Sequence, residues 1–298
     1  VAYPVSGLEG RLLRVPMVGI SVGISSIAEL QIDGLSVDRL SISRRRTAPL
    51  SSMLTTTGSS TTDVEDIVIG TKIRIAGEGT HRPALGFRFA TKLPNASNER
   101  GLGLDTTDFY SSILVGKTTR SVRLVGNVGM AILGDATRGD RQNDMLTYGV
   151  SFARALTNAT EVVGDVSGRL DTRNGNPPPG TESRSQLRLG LRYTVAGWRA
   201  DAGLILGLTN QDPGVGATAG FTDIYAANDT KGASRTGSAL QARTTDQADL
   251  GALTSLGSAF LAVSTSDAKT FGSLTASSAS MRRSTWTPAR FRPWMKRL

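Results

Sequence analysis

Cysteine is absent from the 298 residues, and histidine occurs once, at His81. Without cysteine there can be no disulfide framework, thiolate metal site, cysteine nucleophile or redox CxxC motif. A single histidine rules out an imidazole-clustered metal centre within one chain. Aromatic residues make up 5% and prolines number 11, so the chain is neither collagen-like nor a proline-rich disordered polymer. No stretch approaches the ~18 consecutive apolar residues of a transmembrane helix. The opening VAYPVSGLEG lacks the basic start and apolar core of a secretory leader, which suggests a processed chain or a fragment. One membrane architecture survives these tests, the closed β-barrel, whose strands are individually too weak to register in hydropathy scans.

Glycine is plentiful, at 34 residues, and Lys plus Arg (34) exceed Asp plus Glu (25) for a formal charge of +9. The length admits one large domain or two ordinary ones. A basic chain invites a nucleic-acid or anionic-surface reading. The distribution argues otherwise. Residues 226–298 hold ten Lys/Arg against four Asp, a balance of +6, which leaves only +3 for the first 225 residues. No nucleic-acid partner is expected.

Between about residues 17 and 225 the dominant hydropathy period is two. Leu187, Leu189, Leu191, Tyr193 and Val195 alternate with Arg188, Gly190, Arg192 and Thr194; after Ala196-Gly197 the pattern resumes from Trp198 to Leu208. A two-residue turn there pairs Arg192 with Asp201 and Thr194 with Arg199 on the polar face. The apolar faces match in the same register, Tyr193 with Ala200 and Leu191 with Ala202. Similar alternation recurs upstream, and the predicted strands are 17–24, 27–35, 64–75, 83–93, 107–116, 121–133, 145–155, 160–171, 185–195, 198–208 and 216–225.

A soluble sandwich would also alternate. Three features favour a membrane barrel. The runs are long enough for tilted strands to cross a bilayer. The polar face mixes both charge signs with glycine, as a hydrated lumen would. Short links near 25–26, 76–82, 117–120, 156–160 and 196–197 alternate with long polar ones near 43–63, 94–105, 134–143, 172–185 and 209–215, matching the periplasmic and extracellular ends of outer-membrane barrels. Eleven strands are recognisable, and bacterial barrels normally have an even number. The expectation is therefore an all-β, antiparallel transmembrane β-barrel of about 12 strands, with the first short or irregular within residues 1–15.

The segment RPALGFRFATKLPNASNERGLGLDTTDF (82–109) runs from a strand ending in Lys-Leu-Pro through a polar loop to an Asp before the next strand. It resembles a bacterial outer-membrane barrel family similar to the transporter-like proteins of phenol meta-pathway degradation. DVEDIVIGTKIRI (63–75), LGDATRGDRQNDMLTYGVSFARA (133–155) and LTNQDPGVGATAGFT (208–222) fit the same resemblance, which covers about residues 5–222. It implies the barrel fold and points toward small, aromatic organic solutes. It brings no catalytic motif.

The ending departs from the family. After GFT (220–222) such a protein should close with an aromatic-rich strand, whereas this chain continues for about seventy residues to Leu298. The barrel is accordingly assigned to residues 1–225. Residues 226–298, rich in Ser, Thr and Ala, are read as a low-complexity basic tail that is disordered, or as the product of a shifted reading frame. Leu250 to Phe260 could form a weak helix, and the basic RFRPWMKRL (290–298) could touch anionic head groups.

Candidate chemistry is sparse. His81 falls in a short link without a GxSxG motif, and reads as a solvated turn residue. Asp135, Asp140 and Asp144 gather in the loop GDATRGDRQND (134–144) but lack EF-hand spacing and are neutralised by Arg138 and Arg141. Gly101-Leu102-Gly103 opens a strand rather than a helix, so it is no phosphate cradle. The informative constellation is the inward polar face: Glu29, Asp33, Asp66, Lys72, Arg74, Arg88, Arg123, Asn127, Asp165, Arg169, Arg188, Arg192, Arg199 and Asp201. Such residues can brace a narrow barrel or line a hydrated pore. The expected function is passive passage of small solutes without catalysis, cofactor or metal. The expected partners are outer-membrane lipid and lipopolysaccharide. The alternative is a barrel with a plugged lumen, acting through its extracellular loops or in a larger membrane assembly.

Overall fold

The computed structural model describes residues 1–195, 198–212, 214–226 and 253–264. Its strands are β1 (Ala2–Tyr3), β2 (Leu8–Gly23), β3 (Ala28–Arg45), β4 (Ser60–Val64), β5 (Val68–Ala76), β6 (Ala84–Lys92) and β7 (Asp108–Thr119). They continue with β8 (Val122–Gly134), β9 (Gln142–Ala155), β10 (Thr160–Asp171), β11 (Arg184–Val195), β12 (Trp198–Gly207), β13 (Val215–Ala226) and β14 (Leu253–Ser264). Among the described residues the only helical element is a single 3₁₀ turn, Ser51–Met53, and no helix is long and apolar enough to cross a membrane.

All neighbours pair antiparallel, and from β5 to β14 each strand pairs with the next in sequence. The circuit closes because β2 pairs with β3 on one side and with β14 on the other. Along the edge of β3, β4 and β5 act as two pieces of one interrupted strand. Asp33 is the last β3 residue opposite β5, and Val37 meets Val64 of β4. Gly34 stands between them at φ +86°, where a Cβ would run into the Asp66 carbonyl. Only glycine fits that handover without strain. Twelve positions therefore go round the ring, the even number expected of such barrels.

The hairpin register read from the sequence holds, with Arg192 opposite Asp201, Thr194 opposite Arg199 and Tyr193 opposite Ala200. Other expectations need correction. The first recognisable strand begins at Leu8 rather than residue 17, and the second continues to Arg45 rather than stopping at 35. Both extensions were hidden by register shifts, between Arg14 and Met17 in β2 and at Gly34 in β3, which invert the alternation. The twelfth strand also comes from elsewhere. Within residues 1–15 only the two-residue β1 is separate, and residues 8–15 extend β2; the missing position is filled by β14, in a segment read as tail or weak helix. The facing edges of β13 and β2 would otherwise leave rows of backbone donors and acceptors unpaired, so a strand is the conformation that satisfies them. The rest of 227–298, with its expected disorder and its basic terminus, lies outside the described residues.

The burial pattern is inverted relative to a soluble domain. Ile113, Leu124, Val128, Val150, Leu191 and Leu204 point outward and are each more than half exposed. Their partners in the alternation, including Glu29, Lys72, Arg88 and Arg169, are buried. An apolar exterior on this scale far exceeds the few hundred Å² of contiguous patch that monomeric soluble proteins tolerate. Toward the short-link end, Tyr193, Trp198 and Phe221 are also exposed, and the Trp198 and Phe221 rings lie 4.7 Å apart. Aromatics at a rim are the usual mark of a lipid–water boundary.

Candidate functional site: the barrel interior

Strand alternation puts every second side chain inside, and the interior is built from ion pairs. Nearest the long-loop end, Arg14 Nε and Nη2 donate to Asp38 Oδ1 and Oδ2, both at 2.7 Å, while Nη1 lies 3.1 Å from Glu65. Ser36 Oγ donates to Glu65 at 2.8 Å. The next group is centred on Lys92, whose ammonium lies 2.8 Å from Asp108 and 3.3 Å from Asp66. Further along, Arg88 Nε donates to Gln31 at 2.8 Å and its Nη2 is 4.0 Å from Asp33. Lys72 pairs with Glu29 at 2.9 Å, and Gln31 donates to the same Glu29. Toward the short-link rim, Arg74 Nη2 donates to the Ser26 carbonyl at 2.7 Å.

The other wall has a different texture. On β9 to β13 the inward positions are mostly small: Gly149, Ser151, Ala153, Gly190, Gly203, Thr218 and Gly220. Most of these are only half-buried although they lie within the ring. Among them stand Asp165, Arg188, Arg192, Arg199 and Asp201. Ser167 donates to Asp165 at 3.3 Å, Arg192 lies 3.6 Å from Glu161, and Arg199 Nε reaches Thr194 Oγ1 at 3.5 Å. Arg123 and Asn127 of β8 are half-buried on the same face. Arg169 is fully engaged near the loop end, donating to the Glu182 and Gly180 carbonyls at 3.0 and 2.9 Å. The structure thus brings Glu29 and Asp33 of β3 and Asp66 of the link before β5 together with the bases of β5 and β6. Those of β8 to β12 form a separate, more open group.

Arg14, Asp38, Glu65, Asp108 and Arg184 were missed by sequence reasoning. Each lies just beyond a predicted strand boundary or at its edge. Continuing the alternation across Pro16 and Gly34 with a one-residue slip would have recovered Arg14 and Asp38, and one step back along β11 would have recovered Arg184.

The mouth on the long-loop side is packed. The connection 93–107 folds inward and is pinned by two carboxylates: Asp66 Oδ1 accepts the amides of Asn95 and Ala96 at 3.0 and 2.8 Å, and Asp63 Oδ2 accepts that of Ser97 at 2.7 Å. Ala96 and Leu102 are thereby fully buried. Leu102 joins Tyr3, Leu8, Leu12 and Leu40 in an apolar cluster above the ion pairs. At the opposite rim His81 is exposed in the link between β5 and β6. Asp135 turns to its own loop, accepting the Thr137 amide at 2.8 Å and its hydroxyl at 2.6 Å.

A closed antiparallel barrel, apolar outside and polar within, defines the class of protein. The particular family follows from comparison: the model of the family described as "Putative MetA-pathway of phenol degradation" matches residues 22–222, and the chain belongs to that family. No curated protein matches the chain.

Proposed function

We propose that this barrel resides in the bacterial outer membrane and lets small solutes pass through a narrow, hydrated lumen without covalent chemistry. The observation that carries this reading is the wall of small, half-buried inward residues from β9 to β13, facing the buried ion-pair wall of β2 to β7. Small side chains leave room for water beside the long charged ones, and charges of both signs set a transverse field across that path. A ring of about twelve strands lies between packed eight-stranded barrels and the open porins of sixteen. The apolar exterior suits contact with lipid and lipopolysaccharide, and the aromatics toward the short-link end suit the periplasmic boundary. The family description names phenol degradation, so small aromatic organic compounds are the first solutes to test.

The packed mouth favours a second reading, a plugged barrel that acts through its extracellular loops or in a larger membrane assembly. Single-channel recording of the purified chain in planar bilayers separates the two. Discrete conductance steps, with aromatic solute flux into proteoliposomes, are expected. A correctly folded barrel showing neither would overturn the conduit and leave the plugged form.

A further inference from the structure

β2 and β3 run for 16 and 18 residues, well beyond the ~9–11 that a tilted strand needs to cross a bilayer. Counted from Ala28, a crossing of that length ends near Asp38, so the upper parts of β2 and β3 stand beyond the apolar band on the long-loop side. β4 pairs with this upper part, through residues 37–41 of β3. The three-stranded extension is anchored from within, because Leu8, Leu12 and Leu40 turn inward to the apolar cluster with Leu102. Its outer face is left to meet whatever surrounds the barrel.

That face is layered. Leu13, Val37 and Val64 form an exposed apolar strip, Val37 directly opposite Val64. Arg39 stands opposite Leu13 on one side and Thr62 on the other, and Arg11 stands opposite Ser41. Both arginines and both hydroxyl residues are exposed. The register makes Arg11 and Arg39 diagonal neighbours across β2 and β3, close enough for long side chains to reach a common ligand. The outward carboxylate on β2 to β4 is Glu9, and it is engaged by Arg46 at 2.6 Å and Arg44 at 3.8 Å. Asp38 and Asp63 are buried on the inner face. The outer face of the extension is therefore strongly basic, directly above an apolar strip.

We propose that this face is a docking site for lipopolysaccharide, with the Arg11 and Arg39 guanidiniums on the phosphates of its lipid A headgroup and its acyl chains along Leu13, Val37 and Val64. The arginine fork binds phosphate in a bidentate manner, which lysine does not match. Its long stem can lie along apolar surface while the charged head reaches the headgroup layer. The layering selects a ligand with two parts. A soluble phosphate would satisfy the charges and leave the apolar strip bare, whereas an uncharged lipid would do the reverse. A second copy of the chain is disfavoured, because a two-fold contact through this face would set arginines against arginines. The site rests on the outer-membrane reading and deepens it, since it names the lipid and the residues that hold it.

The test is native mass spectrometry of the purified full chain in detergent micelles with EDTA, titrated with bisphosphorylated lipid A. Retention of lipid A at least tenfold stronger than that of the same lipid stripped of its phosphates is expected. An Arg11→Gln, Arg39→Gln double variant should weaken retention at least tenfold, and the corresponding double lysine variant should fall in between. Arg138→Gln with Arg141→Gln removes the same charge from another loop and should change nothing. Heat-modifiable gel migration confirms the fold of each variant. Equal retention of the stripped lipid by the unaltered chain overturns the site whether or not the variants fold. Unchanged retention in a folded Arg11→Gln, Arg39→Gln barrel, or an equal loss in the Arg138, Arg141 control, overturns it as well. Displacement by equimolar inorganic pyrophosphate would make the ligand a free phosphate, and a lipid-free dimer would give the face to a second copy; either result overturns the lipid assignment. Fractionation of cells expressing the chain reads outer-membrane location by itself, so failure of the site and failure of that reading are distinguishable.

Discussion

Arg14 and Asp38, 24 positions apart in sequence, form a two-pronged pair inside the barrel, with both guanidinium–carboxylate contacts at 2.7 Å. They sit on β2 and β3 in directly opposite register, next to Glu65. Each charge alone would be costly to bury, and the geometry is good enough to offset much of that cost. Removing one partner should therefore hurt more than removing all. Asp38→Leu is expected to destabilise the barrel by about 3–5 kcal/mol. The combined Arg14→Met, Asp38→Leu, Glu65→Gln chain should recover most of that loss. Urea unfolding in lipid vesicles, followed by tryptophan fluorescence, measures both.

The two faces of β9 should respond oppositely to the same charge. Val150 is 61% exposed on the outer face, whereas its neighbour Ser151 points inward. Val150→Lys should cost about 2–4 kcal/mol of barrel stability in a bilayer, the penalty for a basic residue on a lipid-facing strand near mid-depth. Ser151→Lys should leave stability nearly unchanged and alter single-channel conductance instead. Equal destabilisation by both would contradict the assignment of faces.

The inward fold of the connection 93–107 depends on Asp63 and Asp66. Hydrogen bonds to charged acceptors contribute roughly 1.5–3 kcal/mol each, so losing them should raise local opening at least about tenfold. In an Asp63→Ala, Asp66→Ala double variant, amide exchange at Asn95, Ala96 and Ser97 should accelerate accordingly. Conductance should rise if this connection narrows the path. Hydrogen exchange by mass spectrometry reads the first effect, and bilayer recording the second.

The loop after β8 should carry its own pH dependence. Burial alone would raise the Asp135 carboxyl, but hydrogen bonds from Thr137, with help from the Arg141 charge, hold it below the usual carboxylate range. A carboxyl lowered by folding contributes stability that is complete above its unfolded value of about 3.9 and is lost as pH falls through the lower folded value. The Thr137 amide resonance should therefore titrate at an acidic midpoint below about 3.9, and Asp135→Asn should abolish that titration.

The sequence was most readable where one rule acted without interruption. Along β11 and β12 period-two alternation and opposite charges agreed on a single register, and the hairpin formed in it. It was least readable where the backbone slipped by a residue. At Pro16 and Gly34 the alternation inverts, so Arg14 and Asp38 fell outside the recognised strands although they are among the most deeply buried groups. The contribution of Leu253–Ser264 was unreadable for another reason: its small and hydroxylated residues carry little pattern, and its conformation is dictated by the two strand edges it joins.

By itself the sequence determined the architecture. Alternation decides which side chains share a face, and a chain whose polar face is continuous while its apolar face is unpartnered closes on itself with the polar face inward. Which charges meet was decided only by the tertiary structure. Lys92 could have paired with any of several acids, and its position between Asp66 and Asp108 follows from strand register and from the inward fold of the connection 93–107. The juxtaposition of Arg169 with Arg184 likewise belongs to register: a one-residue slip between β10 and β11 would turn one of them outward.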